Sequence, residues 1–314
     1  MSKKYSILVT GCGGDIGQSI GKILKSNSLF CSVIGCDAND QHAGKFIFDK
    51  CLKVPACRSD EYQPILGNII NEFCIDMILP ASEPELRYWA EKNIDHDFLD
   101  KPLISANLKA MEIGFDKLLT ANFLKAEGLP FPETQLAGKV KEPRLPLIMK
   151  DRNGSGGKSQ YLIDNANDFD FYSKKFPDFI AQEFIENGEN EYTCGLFRDS
   201  KGEIRTINYR RKLMGGFSGY GIVVHNDEIH QLLVNIAEKV NLRGAINIQL
   251  RLTRRGPIVF EINPRFSSTV MFRHMMGFED VIWSIQDRLS LAISPYTIPY
   301  NGRQFYKGFK EYVD

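Results

Sequence analysis

The chain is expected to fold as an α/β domain with a parallel sheet, followed by an α+β region with antiparallel sheets. Two observations predict this. Strand-like and helix-like runs alternate up to Ser105, the pattern of a parallel sheet whose crossovers are helices. From Thr134 the pattern changes to consecutive strand-like runs with few helices between them, as antiparallel sheets require. A third observation concerns chemistry. Lys150 to Lys158 is a glycine loop with a lysine at each end, suited to covering a polyphosphate.

In the first part, Tyr5–Thr10 reads as a strand, Ile16–Lys25 as a helix and Cys31–Asp37 as a second strand. A helix over Tyr62–Phe73, a strand at Ile75–Leu79, a helix at Glu83–Lys92 and a strand at Pro102–Ser105 follow. The turn Thr10-Gly-Cys-Gly-Gly-Asp-Ile-Gly17 leaves the first strand and opens a helix, with Asp37 ending the second strand. That context is Rossmann-like, with room for an anion over the helix N-terminus; the same glycines equally suit a tight turn that binds nothing. Its spacing resembles extended short-chain dehydrogenases, and Tyr88 with Lys92 matches their Tyr-x-x-x-Lys pair. The pair falls before the fifth strand, too early for that active site.

Helices at Leu108–Ile113 and Lys117–Glu127 come next, and Gly128-Leu-Pro-Phe-Pro132 stops the second. Strands are expected around Gln135 and at Leu147–Lys150, Ser159–Ile163, Phe179–Ile185, Glu191–Phe197, Ile204–Lys212 and Gly221–His225. Helices at Ala166–Lys175 and Glu228–Val240 interrupt them. No internal repeat or low-complexity linker is visible.

Composition narrows the class. The 314 residues are 43% hydrophobic and 25% charged, ordinary for a globular protein with a real core. Lys plus Arg and Asp plus Glu both total 39, so the overall charge gives no reason to expect a nucleic acid or an anionic membrane. The short apolar run before Thr10 is below the length of a signal-peptide core, and no apolar run reaches a membrane span. The seven cysteines lack Cys-x-x-Cys pairs and read as reduced core residues of a cytoplasmic protein.

Gly156-Gly157-Lys158-Ser159 is not a phosphate-binding Walker loop, because Arg152 stands where that motif needs glycine and a strand follows instead of a helix. A glycine loop joining two antiparallel strands fits better. The hairpin over residues 244–263 is more specific. Ala245, Asn247, Gln249 and Arg251 alternate with Ile246, Ile248, Leu250 and Leu252. Val259, Glu261 and Asn263 alternate with Ile258, Phe260 and Ile262. A three-residue loop, Arg254-Arg255-Gly256, pairs Gln249 with Glu261 and Asn247 with Asn263, separating the polar and apolar faces. Gln249, Glu261 and Asn263 then converge as oxygen ligands of the kind magnesium takes.

The chain resembles ATP-grasp enzymes of the carbamoyl-phosphate-synthetase-like branch, and the resemblance runs over nearly all of it. It rests on Asp116-Lys117 through Gly128-Leu-Pro-Phe-Pro-Glu-Thr134, on Pro146-Leu-Ile-Met-Lys150 with the glycine loop, and on Gln182-Glu-Phe-Ile185 with Glu191-Tyr-Thr193 beyond. Glu261-Ile-Asn-Pro-Arg265 completes it. The resemblance implies a Rossmann-like domain over 1–110, a small lobe over 111–183 and a large lobe with the metal site over 184–314. It implies Lys117 and Lys150 on the phosphates and Gly154, Ser155, Gly156 and Gly157 as a lid. Glu183 and Ile185 would meet adenine and Glu191 the ribose. Gln249, Glu261 and Asn263 would hold one or two magnesium ions, or manganese, with Arg265 and Asn263 as catalytic residues. Arg210, Arg211, Lys212 and Ser218 would face a substrate carboxylate. Asp151 departs from the family, which often has proline there.

The activity implied is an ATP- and magnesium-dependent ligase joining a small-molecule carboxylate to an amine through an acyl phosphate, in a chain that could form a homodimer. The alternatives are an NAD(P)-dependent dehydrogenase built on residues 1–105, or an ATP-binding module without chemistry.

Overall fold

The computed structural model describes residues 3–154, 159–186 and 190–313. Its first sheet is organised by β1 (Tyr5–Thr10), in which Ile7, Leu8 and Val9 are all fully buried. A strand buried on both faces needs a layer on each side. Ile7 and Val9 pack with Ile20, Ile23 and Leu24 of α1 (Asp15–Lys25). The other face is covered by later helices. After β2 (Phe30–Asp37) and β3 (Lys50–Lys53) comes α2 (Tyr62–Glu72), whose Tyr62, Leu66, Ile69 and Ile70 close over Leu8. β4 (Met77–Pro80) completes a sheet of order β3-β2-β1-β4, parallel throughout, and leads into α3 (Glu83–Glu91).

Here the structure departs from expectation in three places. The unanticipated β3 forms the sheet edge. The strand expected at Pro102–Ser105 is reduced to β6 (Lys101–Pro102), which pairs with β5 (Asp97–Phe98), while Leu103 makes one parallel bridge to Ile78. The cysteines are all free, but Cys31 and Cys74 are exposed and Cys51 and Cys57 half-buried, so only Cys12, Cys36 and Cys194 are core residues. Cys31 lies at the start of β2, Cys51 on the edge strand β3, and Cys57 and Cys74 in turns.

Helices α4 (Leu108–Gly114) and α5 (Lys117–Ala126) lead into a four-stranded antiparallel sheet. Its strands are β7 (Thr134–Leu136), β8 (Leu147–Lys150), β9 (Gln160–Ile163) and β10 (Ile180–Glu183), in the order β7-β10-β8-β9, with α6 (Ala166–Lys175) packed on it. A larger sheet follows, built from β11 (Glu191–Arg198), β12 (Ile204–Met214), β13 (Phe217–Val223), β14 (Gly244–Thr253), β15 (Gly256–Asn263) and β16 (Gln304–Tyr306). Its order is β15-β14-β11-β12-β13-β16. Between β13 and β14, α7 (Asp227–Val240) buries Ile229, Leu232, Leu233, Ile236, Ala237 and Val240, the three-and-four spacing of a single helical stripe. Asn226 caps it by accepting from the Ile229 N–H at 2.9 Å, and the stripe packs on Ile246, Ile248 and Leu250 of β14. One face of β14 is thereby committed to core, and the other is left for chemistry. Among the described residues no helix is long and apolar enough to cross a membrane.

On the other end of that sheet, α8 (Val270–Met275) and α9 (Asp280–Arg288) are joined by a buried charge pair. Arg273 and Asp280 are both 0% exposed, with Nη2 3.0 Å from Oδ2. Gly195 of β11 makes room for the arginine, since a Cβ there would lie 2.7 Å from its Cδ. Burial pushes the Asp280 carboxyl up to about 6 against the pull of Arg273. Removing one member of such a pair strands a charge in the core, whereas removing both does not. Arg273→Leu is therefore expected to lower unfolding free energy by about 3–5 kcal/mol, and Arg273→Leu with Asp280→Leu to recover most of that loss. Urea denaturation of the two variants beside the parent chain checks this.

Candidate active site

The hairpin of β14 and β15 sets the geometry. Asn247 lies opposite Asn263, Ile248 opposite Ile262 and Gln249 opposite Glu261, the register expected from the sequence, but the chain reaches it by a different route. The connection is a two-residue turn, Arg254-Arg255, closed by the Thr253–Gly256 pair with Gly256 at φ +89°, and not a three-residue loop. Counting back from that turn pairs Leu250 with Val259. The ladder then skips Phe260 before resuming at Gln249 and Glu261. The skip is a β-bulge, which sets two consecutive residues against one partner and re-aims a side chain. Phe260 and Glu261 consequently both line the cleft.

This corrects the expected faces. Val259 is fully buried in the core with Ile248 and Leu250, and Phe260 is on the cleft side. The Phe260 ring has the Lys150 ammonium 5.7 Å and the Arg251 guanidinium 5.4 Å from its centre, within cation–π range.

The lysines are brought together by a helix cap. Asp116 accepts from the Leu118 and Leu119 N–H groups at 2.9 and 3.1 Å, starting α5, and also holds Arg152 Nη2 at 2.6 Å. The Lys117 N–H donates to the Arg152 carbonyl at 3.2 Å. These bonds tie the chain leaving β8 to the start of α5, so Lys117 and Lys150 meet. Lys117 Nζ donates to the carbonyls of Asp151, at 3.1 Å, and Gly154. Period-two alternation aims Ile148 and Lys150 into the cleft and Leu147 and Met149 into the core. Burial pushes the Lys150 ammonium down to about 8; Glu261 opposes this, while Lys117 and Arg251 add to it. Burial lowers Lys117 as well, again against Glu261.

On the facing sheet, Glu191, Thr193, Gln249 and Arg251 alternate into the same cleft. Glu191 accepts from Arg211 at 2.9 Å through one oxygen and from Arg251 at 3.0 Å through the other. Burial disfavours its charge, but the two guanidiniums outweigh that and hold the carboxyl below its usual range. Arg211 Nη2 also donates to Gln249 Oε1 at 2.9 Å, and Thr193 Oγ1 to Asn247 Oδ1 at 2.9 Å. Arg265 turns toward α3 of the first sheet, its Nε and Nη2 both 3.1 Å from Glu83 Oε2. Glu83 also takes Arg87, and the two arginines overcome burial to keep its carboxyl below the ordinary range.

The cleft has a volume of about 460 Å³. Of the residues singled out from sequence, Lys117, Lys150, Gly154, Glu183, Ile185 and Glu191 line it. Gln249, Glu261, Asn263, Arg265 and Arg211 do so too. Ser155, Gly156 and Gly157 lie outside the described residues. Arg210 and Lys212 are a correction: β12 alternates Arg211 and Leu213 toward the cleft, so their neighbours fall on the opposite face. Ser218 is buried at its edge, 3.4 Å from Arg211 Nη1. Glu183 is engaged by Arg255 and by the Glu133 N–H. Sequence reading missed Glu83, Arg251 and Phe260. Period two from Gln249 would have found Arg251; nothing local announces a bulge at Phe260 or the contact of Glu83 with Arg265.

Among the described residues, no hydrogen bond reaches the Glu261 carboxylate, the Asn263 side-chain amide or the Lys150 ammonium, although all three face the cleft. Tyr88, by contrast, packs edge-on against Tyr62 with its ring centre 6.4 Å away, and its hydroxyl accepts from Gln63 at 3.4 Å. Tyr88 of the dehydrogenase-like pair thus packs against α2, with the Lys92 ammonium over its ring.

Comparison with known proteins agrees with this layout. Residues 115–269 match the sequence profile of the ATP-grasp domain. The carbamoyl-phosphate synthase of Methanobrevibacter smithii is 32% identical over 95 residues, which is 29% of this chain and 26% of that protein. The D-alanine–D-alanine ligase of Delftia acidovorans is 25% identical over 196 residues, 53% of this chain and 60% of the ligase. The chain therefore matches less than two thirds of the length of these relatives. In fold, it superposes on an ADP complex of N5-carboxyaminoimidazole ribonucleotide synthetase with a TM-score of 0.74 at 16% identity, covering 97% of this chain and 81% of that one. The biotin carboxylase domain of Hydrogenobacter thermophilus 2-oxoglutarate carboxylase, a dimer with MgADP, ADP and bicarbonate, gives 0.71 at 16% identity, with 95% and 72% covered. The matched profile identifies residues 115–269 as an ATP-grasp domain, and the superpositions extend the likeness in fold over nearly the whole chain.

Proposed function

We propose that this protein is an ATP- and magnesium-dependent, ADP-forming carboxylate–amine ligase. The observation that carries the reading is the set of Glu261, Asn263 and Lys150: a carboxylate, an amide and an ammonium turned into one cleft with no hydrogen-bond partner among the described residues. Their polar atoms open onto the cleft and are not sealed in the core, so their hydrogen-bonding capacity is available to a ligand. Hard oxygen donors suit a magnesium ion that takes its remaining ligands from phosphates and water. Glu261, Asn263 and the free lone pair of Gln249 Oε1 would hold it, and bound magnesium would neutralise phosphate charge.

In this reading the chain divides into a Rossmann-like domain over 1–110 and two lobes over 111–183 and 184–314. Lys117 and Lys150 lie on the phosphates, with Gly154 beside them. The Glu183–Ile185 segment, with the Phe260 ring in the wall of the same cleft, receives adenine, and Glu191 the ribose. Arg265 neutralises charge on the transferring phosphoryl group. A carboxylate oxygen attacks the γ-phosphorus and ADP leaves; an amine nitrogen then attacks the acyl carbon, the C–O bond to phosphate breaks, and inorganic phosphate leaves with the bonding electrons while the nitrogen gives up a proton. The protein's contribution is positioning and fixed positive charge, so no side-chain nucleophile is required. Arg211 is committed to Glu191 and Gln249, so it orders the site, and Ser218 is the remaining polar contact for a substrate from the set read in the sequence. A homodimer is part of the proposal, as is manganese in place of magnesium.

Glu261→Ala is expected to lower substrate-dependent ADP release by about 10²–10³-fold, and Gln249→Ala by about tenfold, with thermal midpoints unchanged. Coupled-enzyme turnover and calorimetry on the same samples check both. Near-normal turnover by a folded Glu261→Ala protein would overturn the reading.

Lys150 gives a pH test. With its folded value near 8, the ammonium is charged at pH 7 and mostly neutral at pH 9. A polyphosphate binds the charged form, so nucleotide affinity should fall by up to about tenfold across that interval. Lys150→Arg, which stays charged, should abolish the fall. Titration calorimetry at the two pH values, at constant ionic strength, is the measurement.

A further inference from the structure

The first sheet carries a cluster that the ATP cleft does not use. Cys12 sits in the glycine turn after β1 and is fully buried, with its sulfur 3.9 Å from Cys51 Sγ of β3 and 3.9 Å from His42 Nε2. Cys51 is half-buried, so it is the sulfur that a small molecule reaches. The turn after β1 and strand β3 are not neighbours, since β2 runs between β1 and β3. What lets the sulfurs meet is Gly35. It pairs directly with Cys51, and a Cβ on it would lie 2.9 Å from both Cβ and Sγ of Cys12. A side chain there would stand between the two thiols.

Cys12, Asp37 and His42 offer ligand atoms within 4.8 Å of one another, but their hydrogen bonding does not leave them free for a metal. His42 Nδ1 accepts from the Gly44 N–H at 3.1 Å, so the neutral ring carries its proton on Nε2, facing the Cys12 sulfur. Asp37 Oδ2 accepts from the Gly13 N–H at 2.8 Å and Oδ1 from the Asn39 N–H at 3.0 Å. The hydrogen bond to Cys51, burial and the nearby Asp37 carboxylate push the Cys12 thiol up, so it keeps its proton; donating that proton to Cys51 draws the Cys51 thiol down against burial and Asp37.

We propose that Cys12 and Cys51 are a reversible dithiol that peroxide closes to a disulfide across Gly35. The Cys51 thiolate attacks one peroxide oxygen. The O–O bond breaks, and the departing oxygen leaves as water after taking a proton, leaving Cys51 as a sulfenic acid. The Cys12 sulfur then attacks the Cys51 sulfur, the S–O bond breaks, and a second water leaves with the Cys12 proton. Two thiols are oxidised and one peroxide is reduced to two waters. A disulfide spans about 2.05 Å, so each sulfur has to move only about 1 Å from its present place.

The test treats the full reduced chain with one equivalent of hydrogen peroxide, blocks remaining thiols with iodoacetamide and maps the peptides by mass spectrometry. The expected product is a linked Cys12–Cys51 peptide pair, lighter by two hydrogens, that dithiothreitol reverses and that accounts for most of the oxidised cysteine. In Cys12→Ser, dimedone should trap the Cys51 sulfenic acid. Full alkylation of Cys12 and Cys51 while exposed Cys31 or Cys74 carries the oxidation would overturn the proposal, as would Cys51 sulfinic acid beside free Cys12. Stoichiometric zinc held by the reduced protein through these thiols would also overturn it. The peptide map of the unmodified sequence decides even if the variant does not fold.

Discussion

The site depends on one skipped residue in one hairpin. Counted outward from the Arg254-Arg255 turn without interruption, the ladder would pair Gln249 with Phe260 and turn Glu261 toward Ile248, into the face that α7 covers. A carboxylate there would be desolvated without a partner, which a fold does not tolerate cheaply. The bulge absorbs the odd residue. It keeps Val259 and Ile262 in the core and delivers Glu261 and Asn263 to the cleft, and it leaves the Phe260 ring as part of the cleft wall. Pairing, core and site are therefore one decision made by the backbone.

Charge organises the rest. Two half-buried arginines fix Glu191 and, through Arg211, the Gln249 amide. Opposite them, Lys117 and Lys150 are held close by a helix cap and by burial, with Glu261 as the nearby carboxylate that offsets both. The lysine ammoniums and the Glu261 and Asn263 oxygens share one cleft, and they are the groups that the proposed metal–polyphosphate would meet. The Arg265–Glu83 pair extends the arrangement, because it joins the end of β15 to α3 of the first sheet. The parallel-sheet unit thus contributes directly to the end of the cleft where phosphoryl transfer is proposed.

Much of this was legible from residue pattern. Alternation in Gly244–Leu252 separated core from cleft correctly because α7 and water impose opposite demands on the two faces. Gln249 and Glu261 could be singled out because each carries a polar group where period two allows exposure to a cleft, and Lys150 because it flanks the glycine loop. Phe260 could not, since a bulge is a property of how two strands meet and leaves no mark in either strand alone. Arg210 and Lys212 were attractive as charges, but their parity relative to Arg211 decides their face, and that parity was set by pairing with β11 and β13. Glu83 is separated from Arg265 by 182 positions in sequence, and only the tertiary fold brings them together.

The central claim is that the bulged hairpin and the lysine pair form a single metal–nucleotide site. A crystal structure of the protein with magnesium and a non-hydrolysable ATP analogue tests it most directly. The account predicts a metal bonded to Glu261 and Asn263 oxygens at about 2.1 Å, with phosphates between it and Lys150. Nucleotide bound instead over the Gly11–Gly17 turn, with Glu261 left without a metal, would contradict it.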